Sequence, residues 1–498
     1  AGPGLPREEP SAAAVIVMTS SYRHPASLIG RGTRPGPRAP RALDSGVGVV
    51  APIAAQPRTE TTMSARNDEQ HETGADEQEH GHPKKPKRSR RWVLLVVVLS
   101  VAALAWSCVF HGKLTRKPVG FLTTNDAVIA LRLGGGRTTA GDDKPYYDGW
   151  IVLLDAQGRG QVASVDEIDG GDVLWSERGV FYGSPSRDYV TTDSGTQQTA
   201  WQFIRRGDVQ RYALPDGALV AVRGEYNDYH IGTLFPDGTH ASVETEGIGR
   251  GIGQCGGRIV AITTTEKSES IKSAAFEAYA AQFGGADIPE ALVVVVQLND
   301  FDGDVPPVLA VAPMVEGLSS NQHMFDCEGD VITVPSAQKD DEREWFVLQR
   351  WDLSSGQRTI IPVVDEDGNA IELGEDLSVS GSKAIRVGTE YRFVSSGGDA
   401  FAVDTTSGRG RHLFSLERTY GPDGYLATFQ VTETGVYALK DRRSDRVVTL
   451  SYRPWEGGEW RDIFTTRDLA YYLNEGYISS ALDIQSFALR PGWDGGAQ

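Results

Sequence analysis

The sequence predicts an all-β fold of repeated four-stranded units, carried behind one membrane-spanning helix. Three observations predict it. From about Val119 to Pro491, short β-type runs alternate with Gly, Asp, Asn and Ser turns, the pattern of strands joined by tight connections. Two turn motifs recur in alternation along that stretch. A basic run stands directly before an uncharged segment of membrane-spanning length.

The chain has 498 residues and a formal net charge of −18, unevenly spread. Residues 1–62 hold seven Arg, no Lys and four acids among many Pro, Gly and Ala. They show no sustained helix or strand period, so they bury too little apolar surface to offset chain entropy. Met63 opens a stretch that reads as a natural start, so residues 1–62 are either upstream sequence or the first part of a disordered tail running to residue 91. Residues 84–91 carry six cations. The segment from Trp92 to Phe110 is uncharged and rich in Val, Leu and Ala. As a helix it spans roughly 28 Å, near the thickness of a hydrocarbon core. The excess of cations on its N-terminal side places the N-terminus in the cytoplasm and the C-terminal domain outside, at the cell membrane. A cleaved signal is the competing reading, giving a lipoprotein or secreted protein. Ala105-Trp106-Ser107-Cys108 has the outline of a lipoprotein site, and Ser89-Arg90-Arg91 that of a twin-arginine signal. Beyond residue 110 the chain carries about −22. An acidic surface of that size repels phosphate, which argues against nucleic acid as a partner.

The first motif is strand, tight turn, strand. It reads Asp172-Val-Leu-Trp-Ser-Glu-Arg-Gly-Val-Phe-Tyr182 and returns from Gly253, Phe325, Phe429 and Tyr472, with weaker copies centred on Asn125, Asp216 and Glu390. The second is a hairpin with an Asp- or Gly-bearing turn, at residues 154–158, 192–195, 235–238, 299–303, 351–356, 403–408 and 454–458. Its turn residues tolerate left-handed backbone angles. One copy of each makes a four-stranded meander, repeated every 40 to 60 residues or so. Helical period is nearly absent except from Ile271 to Phe283, where Ile271, Ala275, Tyr279 and Phe283 recur every four residues and Ser268 or Ser270 is placed to cap.

This repeat resembles the bacterial WD40-like and pyrroloquinoline-quinone-dehydrogenase-like β-propellers, in architecture only, since no Gly-His…Trp-Asp signature is present. A twisted four-stranded sheet cannot hide both faces alone, and radial stacking covers them. Two β-sandwiches are the runner-up. Eight copies of the first motif predict eight blades over residues 119–491, with seven as the alternative. Residues 111–118 are a linker or closing strand, Lys113 to Val119 supplying the missing outer strand of the last blade. Residues 492–498 are a disordered tail.

Cys255 and Cys327 occupy the same place in successive copies of the first motif, which in a propeller is the end of neighbouring innermost strands. A disulfide is expected there, with two buried thiols as the alternative. No catalytic set, metal site or cofactor motif emerges. The Asn299-Asp-Phe-Asp-Gly-Asp304 run reads as a polar hairpin rather than a calcium loop. The loops after the second strand of each unit carry Tyr beside Asp: Asp142, Asp143, Tyr146, Tyr147, Asp148 and Trp150 in one, Tyr226, Asp228 and Tyr229 in another. Tyr beside carboxylate suits recognition of a protein or glycan; the alternative is that these rings pack on their own blade. The expected function is a membrane-anchored, surface-displayed binding or protein-interaction scaffold. The alternative is an exported propeller enzyme, a glycosidase or quinone-dependent dehydrogenase.

Overall fold

The computed structural model describes residues 114–495, apart from 136–147, 167–170, 202–206, 208, 226–227, 247–250, 268, 286, 302, 304, 321–325, 341–342, 373–383, 396–397, 417–425, 443–446 and 475–481. These form seven sheets, each built on four antiparallel strands and set around a ring, a β-propeller whose blades are numbered I to VII. Strands within a blade are lettered a to d from the axis outward. The a strands of neighbouring blades touch in VII–I, I–II, II–III and IV–V, and strand a of blade VII touches strand b of blade VI. The expected membrane helix at residues 92–110 lies outside the described residues. Among the described residues, no helix is long and apolar enough to cross a membrane.

Seven blades, not eight, close the ring, and the reason is the seam. Strand a of blade I is the C-terminal Leu482–Leu489, which pairs antiparallel with strand b, Ile129–Gly135. Asp148–Leu154 and Gly160–Asp166 follow as c and d. The copy of the first motif at Asn125 and the strand that follows the copy at Tyr472 therefore belong to one blade split between distant parts of the chain. The copy at Tyr472 does not open on a strand. Its first residues end a short helix, Asp468–Asn474, whose Leu469, Tyr472 and Leu473 are buried on blades I and VII. Leu114–Arg116 does add as an outer strand, but to blade I, parallel to its strand d.

The other copies of the first motif are a–b hairpins of blades II to VII. The second motif supplies the c–d turn of every blade. In several of these turns an Asp carboxylate accepts backbone N–H bonds two or three residues on. Asp155 Oδ1 takes Gln157 N at 2.9 Å, Asp237 Oδ1 takes Thr239 N at 2.9 Å and Asp404 Oδ1 takes Ser407 N at 2.7 Å. A left-handed Gly then finishes the turn, as Gly158 does at φ 72°. At the corresponding turn of blade IV, Asn299 is a staple. Its Oδ1 accepts from Ile259 N at 2.6 Å and its Nδ2 donates to Gly257 O at 3.0 Å.

Each interface between blades holds its own apolar cluster, seven in all among the described residues. The helix expected from Ile271 runs over Glu269–Phe283, with Ile271, Ala275 and Tyr279 buried in the cluster between blades III and IV. The II–III interface has the fewest apolar side chains in its cluster, and a buried polar group completes it. Asp188 accepts from Arg211 Nη2 and Trp201 Nε1, both at 2.9 Å, and from Arg223 Nη2. Burial alone would raise the Asp188 carboxyl, but the two guanidiniums outweigh it and hold it below its ordinary value.

Strand a of blade V comes in two pieces, Leu318–Ser320 and Asp326–Glu328, both paired to strand b. Its neighbours fasten it. A disulfide joins Cys255 of blade IV to Cys327, with Cα atoms 5.2 Å apart. Arg258 pairs with Asp330, and Arg386 of blade VI with Glu328. The bridge closes a loop over a separation of 72 residues, which stabilises by roughly 4 kcal/mol in the chain-entropy account. Replacing both cysteines by Ser is expected to lower the melting temperature by several degrees, and reduction to do the same to the wild type. Calorimetry with and without reductant checks it; a melting temperature unmoved by either change contradicts it.

Candidate functional site

The candidate site is a pair of adjoining cavities on the end of the ring where the a–b and c–d turns of blade VII lie. The first, of about 390 Å³, is bounded by the ends of three consecutive a strands, those of blades VII, I and II. Trp175, Tyr437 and Trp493 give it aromatic walls, and Thr432, Glu433 and Asp494 line it with polar groups. The second, of about 480 Å³, shares Glu433 and Thr434 with the first and adds Tyr452, Glu456, Glu459 and Arg461.

Local structure sets both walls. The a–b turn of blade VII, between Leu426–Val431 and Gly435–Arg442, is closed by Thr432 N donating to Gly435 O at 2.9 Å. Two aromatic donors then clamp it. Trp455 Nε1 donates to Thr432 O at 2.7 Å and Tyr452 Oη to Thr434 O at 3.0 Å. Glu433, at the tip, is left exposed between the cavities.

The opposite wall is the chain after the seam strand. Residues 492–495, expected as part of a tail, fold back as a strap. Arg490 ties its root down, its Nη1 donating to Asn125 O at 2.7 Å and Ala127 O at 3.4 Å. Trp493 N donates to Arg490 O at 3.0 Å, and the Trp493 ring lies 5.8 Å from that of Tyr437. Gly495 has φ 59°, and a Cβ there would fall 2.6 Å from the Tyr437 hydroxyl. Tyr437 is 1% exposed, and its hydroxyl has no hydrogen-bond partner among the described residues. Burial, with Tyr452 and the Asp494 carboxylate nearby, pushes that hydroxyl well above its ordinary pKa. It is therefore a neutral phenol, able to donate or accept one bond to a bound group.

The residues singled out in the sequence fall elsewhere. Trp150 is buried in the VII–I core, edge-on to Tyr472 at 5.0 Å. Tyr229 is half-buried and lies across its own hairpin, over Gly224. Asp148 and Asp228 begin c strands. Asp142, Asp143, Tyr146, Tyr147 and Tyr226 lie outside the described residues. What sequence reading missed is the Pro491-Gly-Trp-Asp494 segment and the Thr432-Glu-Thr-Gly435 turn. Both are plain in the sequence, and a Trp in a supposed tail was the available signal.

On blade VI, His412 Nε2 lies 3.3 Å from Asp399 Oδ1 and 3.0 Å from Ser415 Oγ. These residue types suggest a nucleophile relay, but one ring nitrogen faces both partners, so the imidazole cannot take a proton from Ser while Asp orients its other side. It is an exposed polar cluster between strands c and d. Among the described residues, no three His, Cys, Asp or Glu side chains stand together to hold a metal ion.

No protein-family model and no curated protein matches the chain. Among solved structures it is similar to a point mutant of Synechocystis apocarotenoid oxygenase, at 10% identity and TM-score 0.39 over 70% of this chain and 91% of that one. It is also similar to the β-propeller domain of the Trilobed protease from Pyrococcus furiosus, at 11% identity and TM-score 0.30 over 67% and 98%, and to the computationally designed Ika8 protein, at 10% and 0.35 over 70% and 90%. At these identities and scores they carry no argument about activity.

Gly495→Ala tests the strap. The added methyl meets the Tyr437 ring, and the left-handed angle disfavours a side chain. The expected result is a loss of about 1–3 kcal/mol in stability, with Trp emission shifted to the red as Trp493 moves into water. Unchanged stability and emission would show that the strap does not rest on Tyr437.

Proposed function

We propose that this chain is a membrane-anchored, surface-displayed β-propeller that acts as a binding scaffold, with its ligand seated in the seam cavity. The observation that carries this reading is the set of three aromatic side chains from two blades and the strap, converging on a cavity with one buried, unpartnered hydroxyl. Aromatic walls supply contact area at low entropy cost, and a few polar groups fix orientation. The anchor rests on the uncharged stretch from Trp92 to Phe110 behind the basic run, and the acidic balance beyond it suits an exported domain. Burial of Trp150 and the packing of Tyr229 leave the expected Tyr and Asp loops a weaker case than the seam.

Intact cells carrying the chain with a tag at Met63 test both parts. They are probed with labelled peptide and glycan arrays before and after external protease. A discrete subset of probes is expected to bind, and Trp175→Ala with Trp493→Ala to weaken it about tenfold or more, the effect of losing some 1.4 kcal/mol. Protease is expected to abolish binding and spare the tag. A protected propeller overturns the topology. Binding indifferent to the two Trp changes overturns the site, and chemical conversion of a bound probe replaces the scaffold with an enzyme.

A further inference from the structure

We propose that the paired cavities bind a basic peptide segment, seating one Lys or Arg side chain among Trp175, Tyr437 and Trp493 and a second beside Glu456 and Glu459. This rests on the seam cavity being the ligand site and names the chemistry of what it takes.

The first compartment has the makings of a cation site. Aromatic faces attract an ammonium or guanidinium group. The Tyr437 hydroxyl, buried and without a partner among the described residues, offers an acceptor to a charged N–H. Glu433 and Asp494 are exposed at the rim. The base on this wall, Arg490, spends one nitrogen on two backbone carbonyls, which turns its charge toward the root of the strap.

The second compartment repeats the pattern. Glu456 and Glu459 are exposed. Arg392 Nη1 reaches Glu456 at 3.6 Å, and the lining Arg461 lies 5.8 Å over the Tyr452 ring. Across both compartments four carboxylates face two lining guanidiniums, an acidic balance within a strongly acidic domain. Such a field draws cationic ligands in before contact.

Two adjoining compartments, divided by a clamped turn that carries Glu433, fit two cationic side chains of one chain better than a single small cation. The backbone between those side chains would cross the Thr432–Thr434 turn, whose exposed Thr434 hydroxyl can bond to it.

The test uses the full chain in mild detergent and follows Trp fluorescence. The probes are a short Gly/Ser peptide with paired lysines, its lysine-acetylated form, its glutamate counterpart, and spermidine. The lysine peptide is expected to bind, more weakly as salt rises. Glu433→Gln with Glu459→Gln, both exposed and isosteric, is expected to weaken it about tenfold, as is Trp493→Ala. The acetylated and glutamate peptides are expected to bind at least tenfold more weakly again. Equal binding of lysine and acetyl-lysine peptides overturns the proposal. Spermidine binding as tightly as the peptide overturns the peptide and leaves a free polyamine. If array ligands depend on Trp175 and Trp493 while the lysine peptide does not bind, the cation assignment fails and the site stands. If the peptide binds and ignores Trp493→Ala, the site itself is misplaced.

Discussion

Everything in this molecule depends on one strand pair, that between Leu482–Leu489 and Ile129–Gly135. A propeller blade is a sheet with two apolar faces and no partner of its own. Its burial is lent by its neighbours, so the stability of the ring is a circuit of seven interfaces. Breaking the circuit at the seam uncovers the largest apolar cluster among the described residues, which holds Trp150, Tyr437 and the short helix after blade VII. The loop-closure entropy of pairing residues more than 340 positions apart must be met by the cluster that the pairing completes.

The same pairing makes the candidate site. The cavity exists because the C-terminal strand ends between the a strands of blades VII and II and then turns back as a strap. Its walls come from Trp175, Tyr437 and Trp493, which no local motif relates. With the candidate site on the closing seam, a ligand that bridged strap and blade would favour the closed ring over any opened form.

What the sequence showed and what it hid divide along range of interaction. The c–d turns were legible because their chemistry is local: Asp155, Asp237 and Asp404 each bond to the backbone of their own turn, and a following Gly takes the left-handed angle. The helix from Ile271 was legible because its apolar stripe is periodic. The disulfide was legible because Cys255 and Cys327 share a place in successive units, and the ring sets those places side by side. The blade number was not legible, because the motifs at Asn125 and Tyr472 look like two units, and only pairing between the ends shows that they belong to one. The seam cavity was hidden for a related reason. Tyr and Asp in long loops are conspicuous, yet Trp150 and Tyr229 use their rings for packing. Trp493 looked like part of a tail until the strand before it was placed.

The most direct measurement of the central claim is amide hydrogen exchange on the native chain, read over residues 482–489. A closing strand exchanges through opening of the ring and is protected to the level of inner strands such as Leu426–Val431. That protection is expected for 482–489, and with it protection of 129–135 on the other side of the ladder. Exchange at the rate of an unstructured C-terminus, with blade II still protected, would contradict a closing role for this strand pair: the ring would then close without the seam, and the seam cavity would have no third wall.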